Sequence, residues 1–352
     1  MAATNELHSV DVAVIGAGMS GLAVADGLIR AGFSVRVLEA RDRIGGRLQG
    51  SPLDRGASWH WPGEHRVRAL AQRCGVETFE QYRLGDALID DISGVHRYPG
   101  NPIDVPAYRV VGGTFALAAA LAAQVPPGTI HLGRPVQDIS SDLHIASGDH
   151  RWRAHHVVIA LPPALAVHAI ALPRELPAGL IDVAARTPVW MGDSVKVVAH
   201  FSAPFWRHDG LAGAAMSRRG PLTEVHDMSG PDGEPAALFG FARAASMHAD
   251  IETDILAQLI RMFGPQASQP IDILIQDWSR EEWTTPPVAA GLPDYAMFGH
   301  PLYQQPALDG RLHWSSTETA GSYAGHIEGA LAAAERTVAS IVSTTARGAL
   351  SQ

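Results

Sequence analysis

Val12-Ala13-Val14-Ile15-Gly16-Ala17-Gly18-Met19-Ser20-Gly21-Leu22 is the stretch that decides the fold. Its first four residues are apolar and rich in β-branched side chains, as a strand buried on both faces of a parallel sheet requires. Each glycine then has its own task. Gly16 permits the tight turn, Gly18 lets the backbone approach a pyrophosphate, and Gly21 lets the next helix lie close to the strand. The helix start around Met19 and Ser20 supplies amide donors. A glycine turn of this kind is weak evidence alone, but its surroundings strengthen it. Residues 22–31 read as a helix closed by Gly32, and residues 34–38 as a second strand ending at Glu39. Glu39 lies 18 residues beyond Gly21, where a carboxylate can accept both ribose hydroxyls. Ala40 and Arg41 follow, and then Gly45-Gly46-Arg47, in which glycines bring amides close and an arginine offers a two-pronged donor.

With 352 residues, 46% hydrophobic and 18% charged, the chain can bury a substantial core and is expected to form two domains. A formal charge of −9 argues against a nucleic-acid or anionic-membrane surface. Residues 1–9 lack the basic and apolar regions of a signal peptide, and no apolar run is long enough to span a bilayer, so the cytoplasm is the expected location. Cys74 is the only cysteine, which excludes an intramolecular disulfide and a cysteine-rich metal site; no metal is expected. Lys196 is the only lysine among 27 basic residues. A chain that otherwise uses arginine keeps there a compact, titratable charge.

Beyond Arg47 the segment Asp54-Arg55-Gly56-Ala57-Ser58-Trp59 sets small residues beside a large aromatic, a composition suited to close approach by a flat ligand. Residues 64–73 and 114–123 read as helices; residues 130–132, 136–139 and 143–145 as a small antiparallel set; and residues 154–161 as a second strand buried on both faces. Between 166 and 284 the pattern changes to that of an α+β unit, with strands at 194–201, 236–242 and 271–278 and a helix at 251–263. Residues 286–306 are too rich in proline and glycine for a long regular element, and a short strand at 312–315 and a helix at 327–342 close the chain. The expected architecture is α/β. A discontinuous Rossmann-like FAD-binding domain (1–75, 108–165 and 285–352) carries an inserted α+β substrate-binding domain (76–107 and 166–284).

Four ordered segments together resemble the flavin-containing amine oxidase family, which includes monoamine, polyamine and L-amino-acid oxidases. They are the fingerprint with residues 39–47, the segment 54–59, residues 193–206 around Lys196, and Thr317-Glu318-Thr319-Ala320 leading to Glu328-Gly329. The resemblance implies FAD, with Gly45, Gly46 and Arg47 around the pyrophosphate. Gly56, Ala57, Ser58 and Trp59 then lie beside the isoalloxazine and ribityl chain, Val136 at the adenine side, and Trp278 at the cofactor edge. It further implies Glu318 against the ribityl and phosphate region, and the start of a helix at His326 and Ile327, after Thr317, aimed at the flavin pyrimidine, where its positive end would stabilise charge on the ring. Lys196 takes the place of the lysine that holds a water against flavin N5. Read from the pattern alone, Lys196 is a solvated strand residue, Val136 a strand core residue, and Thr317-Glu318 a polar turn. The implied chemistry is hydride loss from the carbon next to an amine nitrogen, imine hydrolysis, and reoxidation by dioxygen to hydrogen peroxide.

The match departs from the family at the substrate cage. Many members flank the flavin with two aromatic side chains; here the second position is His326 and the first falls near Pro287 or Val288. Tyr323, Trp59, Trp61, Trp278 or Trp283 are the available substitutes, and His326 can instead act on substrate or product. Lys196, His326 and Trp59 are thus the expected catalytic residues. No cysteine lies near the first cage position, so FAD is expected to be non-covalent, with His60 the remaining candidate for a covalent link. Ser316 also replaces the glycine expected before Thr317. The expected partners are a small amine or amino acid and dioxygen, and the oligomeric state is open, with a homodimer as one candidate. Two other readings remain: a related desaturase or dehydrogenase of a non-amine substrate, and a flavin-binding protein without turnover.

Overall fold

The computed structural model describes residues 7–287 and 295–350; Val288, one of the two positions expected for the first cage residue, lies outside them. β1 (Leu7–Ile15), α1 (Met19–Arg30) and β2 (Val35–Leu38) form the opening unit, followed by α2 (His65–Cys74). Then come β3 (Thr78–Glu80), β4 (Asp86–Asp91), β5 (Gly94–Tyr98), β6 (Tyr108–Val110) and α3 (Phe115–Gln124). β7 (Ile130–His131), β8 (Asp138–Ile139), β9 (His144–Ser147) and β10 (His150–Ile159) lead into α4 (Pro163–Ala169) and α5 (Leu180–Arg186). The next stretch holds β11 (Ser194–Phe201), α6 (Phe205–His208), β12 (Leu211–Ser217), β13 (Leu222–Asp227), β14 (Ala236–Arg243), α7 (Ile251–Phe263) and β15 (Asp272–Asp277). α8 (Pro301–Gln304), β16 (Leu312–Trp314) and α9 (Ile327–Leu350) complete the chain.

The first sheet runs β7-β2-β1-β10, with β16 on the far side of β10, and all these neighbours are parallel. Val12, Ala13 and Val14 of β1 are fully buried because both faces are covered. One face packs under α1, α2, α3 and α9, the other under the β8–β9 hairpin, α4 and α5. Helix α9 comes so close to α1 that a side chain at Gly27 would lie 2.9 Å from Val338. Glu328, in the first turn of α9, accepts the Arg66 and Val67 amides at 3.2 and 3.0 Å, which ties the start of α9 to the start of α2.

The second sheet runs β15-β11-β14-β13-β12-β4-β5, and β12–β4 is its one parallel pair. Its outer face packs against α7 with Val195, Val197, Ala199 and Phe201 of β11. The opposite face presents Val198, Phe239 and Phe241 toward Leu53 and Trp59, and Lys196 lies on this inner side because side chains alternate along a strand.

Several details differ from the sequence expectation. β7 joins the parallel sheet beside β2 instead of an antiparallel set; a two-residue strand is too short for alternation to reveal its direction. Val136 lies outside β8, behind Pro135, which lacks the N–H a ladder needs. β12 forms although Leu211–Ser217 is mostly alanine and glycine, poor strand formers that give no strand signal, and β13 pairs beside it. Pro163 starts α4, where a first-turn proline costs nothing. α8, of four residues, is a short element within 295–306 and leaves the expectation of no long regular element there standing.

Candidate active site

The two glycine turns are built onto each other. Gly45 donates to Ala17 O at 2.8 Å, and a side chain on Gly46 would lie 3.2 Å from Gly18 Cα. Gly21 faces Gly16: a methyl group there would lie 2.0 Å from Gly16 O. α1 starts at Gly18 with no side-chain cap and no acid in its first turn, so its leading amides stay available to an anion. Buried Glu39 is fixed by the Ala17 amide on one oxygen (2.7 Å) and the Arg41 amide on the other (2.9 Å). A carboxylate has about four acceptor sites, so two bonds leave capacity for ribose hydroxyls. Arg41 reaches Glu281 at 2.9 Å and Thr284 at 2.6 Å, tying this turn to the chain after β15.

A cavity with about 1310 Å³ of non-atom space, including its open mouth, extends from these turns. Gly16, Gly18, Met19, Ser20, Glu39, Ala40, Arg41, Gly45, Gly46 and Arg47 line one part, with Val136 and Arg134 beside them. Gly56, Ala57, Lys196, Trp278, Thr317, His326 and Ile327 line the same space. The structure therefore gathers at one cavity residues that are up to 315 positions apart in the chain, from Ile15 to Ala330.

Lys196 is 6% exposed and its Nζ donates to Gly56 O. The Phe239 and Phe241 rings lie 5.6 and 5.4 Å from that nitrogen. Burial pushes its ammonium down to about 8; Asp54 opposes the shift and Arg47 adds to it. Asp54 behind it is held by the Thr114 amide at 2.7 Å and hydroxyl at 2.9 Å. Burial pushes that carboxyl up to about 7, against the pull of Arg109, Thr114 and Lys196. The solvated-face reading of Lys196 is thereby excluded.

Not every expected residue reaches the cavity. Gly21 acts through helix packing, and Ser58 is buried with its hydroxyl toward Gly56 O. Trp59 lies outside the lining: its indole N–H binds Gln81 at 2.8 Å, and its ring meets His226 and Phe239 edge-on at 5.3 Å, filling the apolar layer behind Lys196. His60, the candidate for a covalent link, stacks on Tyr108 at 5.4 Å and is also outside the lining. Arg47 lines the cavity, and its guanidinium is paired with Glu318 through bonds of 2.7 and 3.1 Å. Glu318 is fully buried, and a carboxylate in that position needs a paired cation. The same carboxylate accepts the Trp190 amide at 3.2 Å. Trp190, Met191 and Thr284, which also line the cavity, carry no periodic signal in the sequence. The indole of Trp190 rests on Gly325, where a side chain would lie 2.5 Å from the ring.

Residues 19–107 and 105–342 match the model of the family described as flavin containing amine oxidoreductase. The chain belongs to this family. A putative flavin-containing monoamine oxidase AofH of Mycobacterium tuberculosis is 28% identical, over 97% of this chain and 98% of the relative. An L-amino acid dehydrogenase of Synechocystis is 23% identical over 95% of each chain. The structure of wild-type putrescine oxidase bound to putrescine superposes with a TM-score of 0.83 at 24% identity, covering 96% of this chain and all of that one.

As a member of the flavin-containing amine oxidoreductases, the protein is a flavin-dependent oxidoreductase with FAD as cofactor. The residues present fit that cofactor. Paired glycine turns leave room where any side chain would intrude, an uncapped helix start faces the phosphate region, and an engaged but unsaturated carboxylate stands at the ribose position. Among the described residues no cluster of His, Cys, Asp and Glu is arranged to hold a metal ion, and no helix is long and apolar enough to cross a membrane.

Proposed function

We propose that this flavoenzyme holds FAD non-covalently across two units, 1–75 with 108–165 and 285–352 for the cofactor, and 76–107 with 166–284 for the substrate. In this reading it oxidises a primary or secondary amine or an amino acid. The observation that carries the proposal is the buried Lys196 in the same cavity as the paired glycine turns and Glu39. Bound FAD supplies a two-electron acceptor: hydride leaves the carbon next to nitrogen, the imine is hydrolysed, and dioxygen takes the electrons as hydrogen peroxide.

The chain's own residues prepare that step. Trp190 and Trp278 line the cavity and bring apolar surface to it, which excludes water from the reacting carbon. Trp278 is fixed by its indole bond to Arg55 O at 2.9 Å. Lys196, held by Gly56 O beside the cavity, moves a proton at Nζ near neutral to mildly alkaline pH, because burial has brought its ammonium to about 8. Thr317 and Ile327 place the start of α9 at the cavity, the Thr317 hydroxyl donating to His326 O at 2.8 Å.

Non-covalent attachment is tested by acid precipitation of the yellow protein. All flavin absorbance should pass into the supernatant, and colour retained in the washed pellet would refute it. His326 in the cage position favours one second reading, a dehydrogenase or desaturase of a non-amine substrate, and rapid-mixing of the reduced protein with dioxygen separates the two. The oxidase reading expects fast reoxidation, whereas a dehydrogenase would persist reduced until given another acceptor.

A further inference from the structure

His326 stands where many family members place an aromatic side chain, and the structure gives its ring an ionic partner. Nδ1 lies 2.5 Å from Glu64 Oε1. Glu64 is 1% exposed, and its second oxygen accepts the Trp61 amide at 3.1 Å, so the carboxylate is fixed at the entry to α2. The imidazole is held as well. Trp61 packs on it with ring centroids 4.8 Å apart, Trp190 lies at 6.3 Å, and the Thr317 hydroxyl binds its backbone carbonyl. A carboxylate only accepts, so Nδ1 carries the proton, and Nε2 is the one nitrogen the ring can offer to the cavity it lines.

The geometry points to a carboxylate–imidazole pair that takes the proton from the substrate ammonium, with His326 as the base and Glu64 as its positioning residue. This rests on the amine reading above. Alkylamines are mostly protonated at neutral pH, and a protonated amine is a poor hydride donor. In the transfer an N–H bond of the ammonium breaks, its proton bonds to His326 Nε2, and the electron pair stays on the amine nitrogen. Net charge is unchanged, but its position improves. The positive charge leaves a space that already holds the Lys196 ammonium and settles on a ring hydrogen-bonded to a buried carboxylate. The titratable and charged groups around this pair are Tyr323, 6.4 Å from the imidazole; Lys196 and Arg47, which line the same cavity, Arg47 being paired with buried Glu318; and His60, which interacts with Glu64, Arg68 and Glu328 from behind.

Glu64→Gln keeps an acceptor for Nδ1 and removes the charge, and the FAD-loaded variant is the test. Its flavin content and melting temperature should equal those of the wild type. Anaerobic bleaching by saturating benzylamine should slow about 10²-fold at pH 7, a loss typical of general acid–base groups. The gap should close toward about pH 10.4, where an amine with the lysine value is half free base. A variant that matches the wild type at pH 7, or a deficit that stays constant to high pH, would overturn the assignment. ¹⁵N-histidine NMR of the resting protein gives a readout without turnover: the low-field Nδ1 proton, assigned by its loss in His326→Phe, should move upfield in Glu64→Gln. An unmoved resonance overturns the pairing itself. Failure of every amine to bleach the wild type, with the resonance moving as expected, instead overturns the amine reading.

Discussion

Lys196→Met is expected to retain FAD and to lose about 10²–10⁴-fold in the rate of flavin reduction by substrate or of reoxidation, the range for removing a positioned acid–base group. Methionine matches the length and flexibility of the lysine stem, and Phe239 and Phe241 beside Nζ accept a thioether well, so the pocket should keep its shape. The variant also has a thermodynamic signature. The folded state lowers the ammonium from 10.5 to about 8, so between those values the unfolded chain binds more protons than the folded one. Wild-type stability should therefore gain roughly 3 kcal/mol from this group as pH rises from about 8 to 10.5, and Lys196→Met should lack that gain. Urea melts at pH 7 and pH 10 check the sign. A variant with wild-type half-reaction rates would remove Lys196 from the chemistry.

Gly21→Ala should have a severe structural effect in the molecule's cofactor region. The added carbon would lie 2.0 Å from Gly16 O and 3.2 Å from the Ala160 side chain, with the Gly16 backbone on one side and the residue just after β10 on the other. Neither can yield without moving α1 off the sheet, and overpacking of this severity costs several kcal/mol against a total stability of about 5–15 kcal/mol. The expected product is colourless and aggregated or poorly folded. By contrast, Gly32→Ala meets no atom within 4 Å, although its φ of +90° still carries strain; it should be milder and keep its flavin. Absorbance at the flavin band per mole of soluble protein distinguishes the two. Equal flavin content in both variants would show that the close approach of α1 to Gly16 is dispensable.

The parts of the molecule that were legible in the sequence are those encoded locally. The β1–α1–β2 unit follows from glycine spacing and from Glu39 at its end, and the structure places Glu39 at the cavity with both oxygens engaged. Lys196 was legible for two reasons: it is the only lysine, and the alternation of β11 sets it apart from the face packed on α7. What the sequence could not display are pairings between distant segments. Arg47 and Glu318 are 271 residues apart, and neither residue alone indicates that its charge is committed to the other. Glu64 and His326 are 262 apart, and Glu64 carries the ordinary appearance of an acid at a helix start. Trp59 illustrates the opposite error. A bulky aromatic next to Gly56 and Ala57 invites a place at the flavin, yet its ring fills the core behind Lys196, since only tertiary packing decides which side of a loop a large side chain takes.

In the proposed reaction an amine in this cavity gives up a hydride to bound FAD, and dioxygen then collects the electrons. Anaerobic titration of the purified holoprotein with a panel of arylalkyl amines, diamines and amino acids tests it most directly, with the flavin spectrum as readout and peroxide assayed on re-aeration. At least one compound should bleach the flavin completely and yield about one equivalent of peroxide per flavin when air is admitted. A flavin that dithionite reduces but that no amine bleaches would contradict the account.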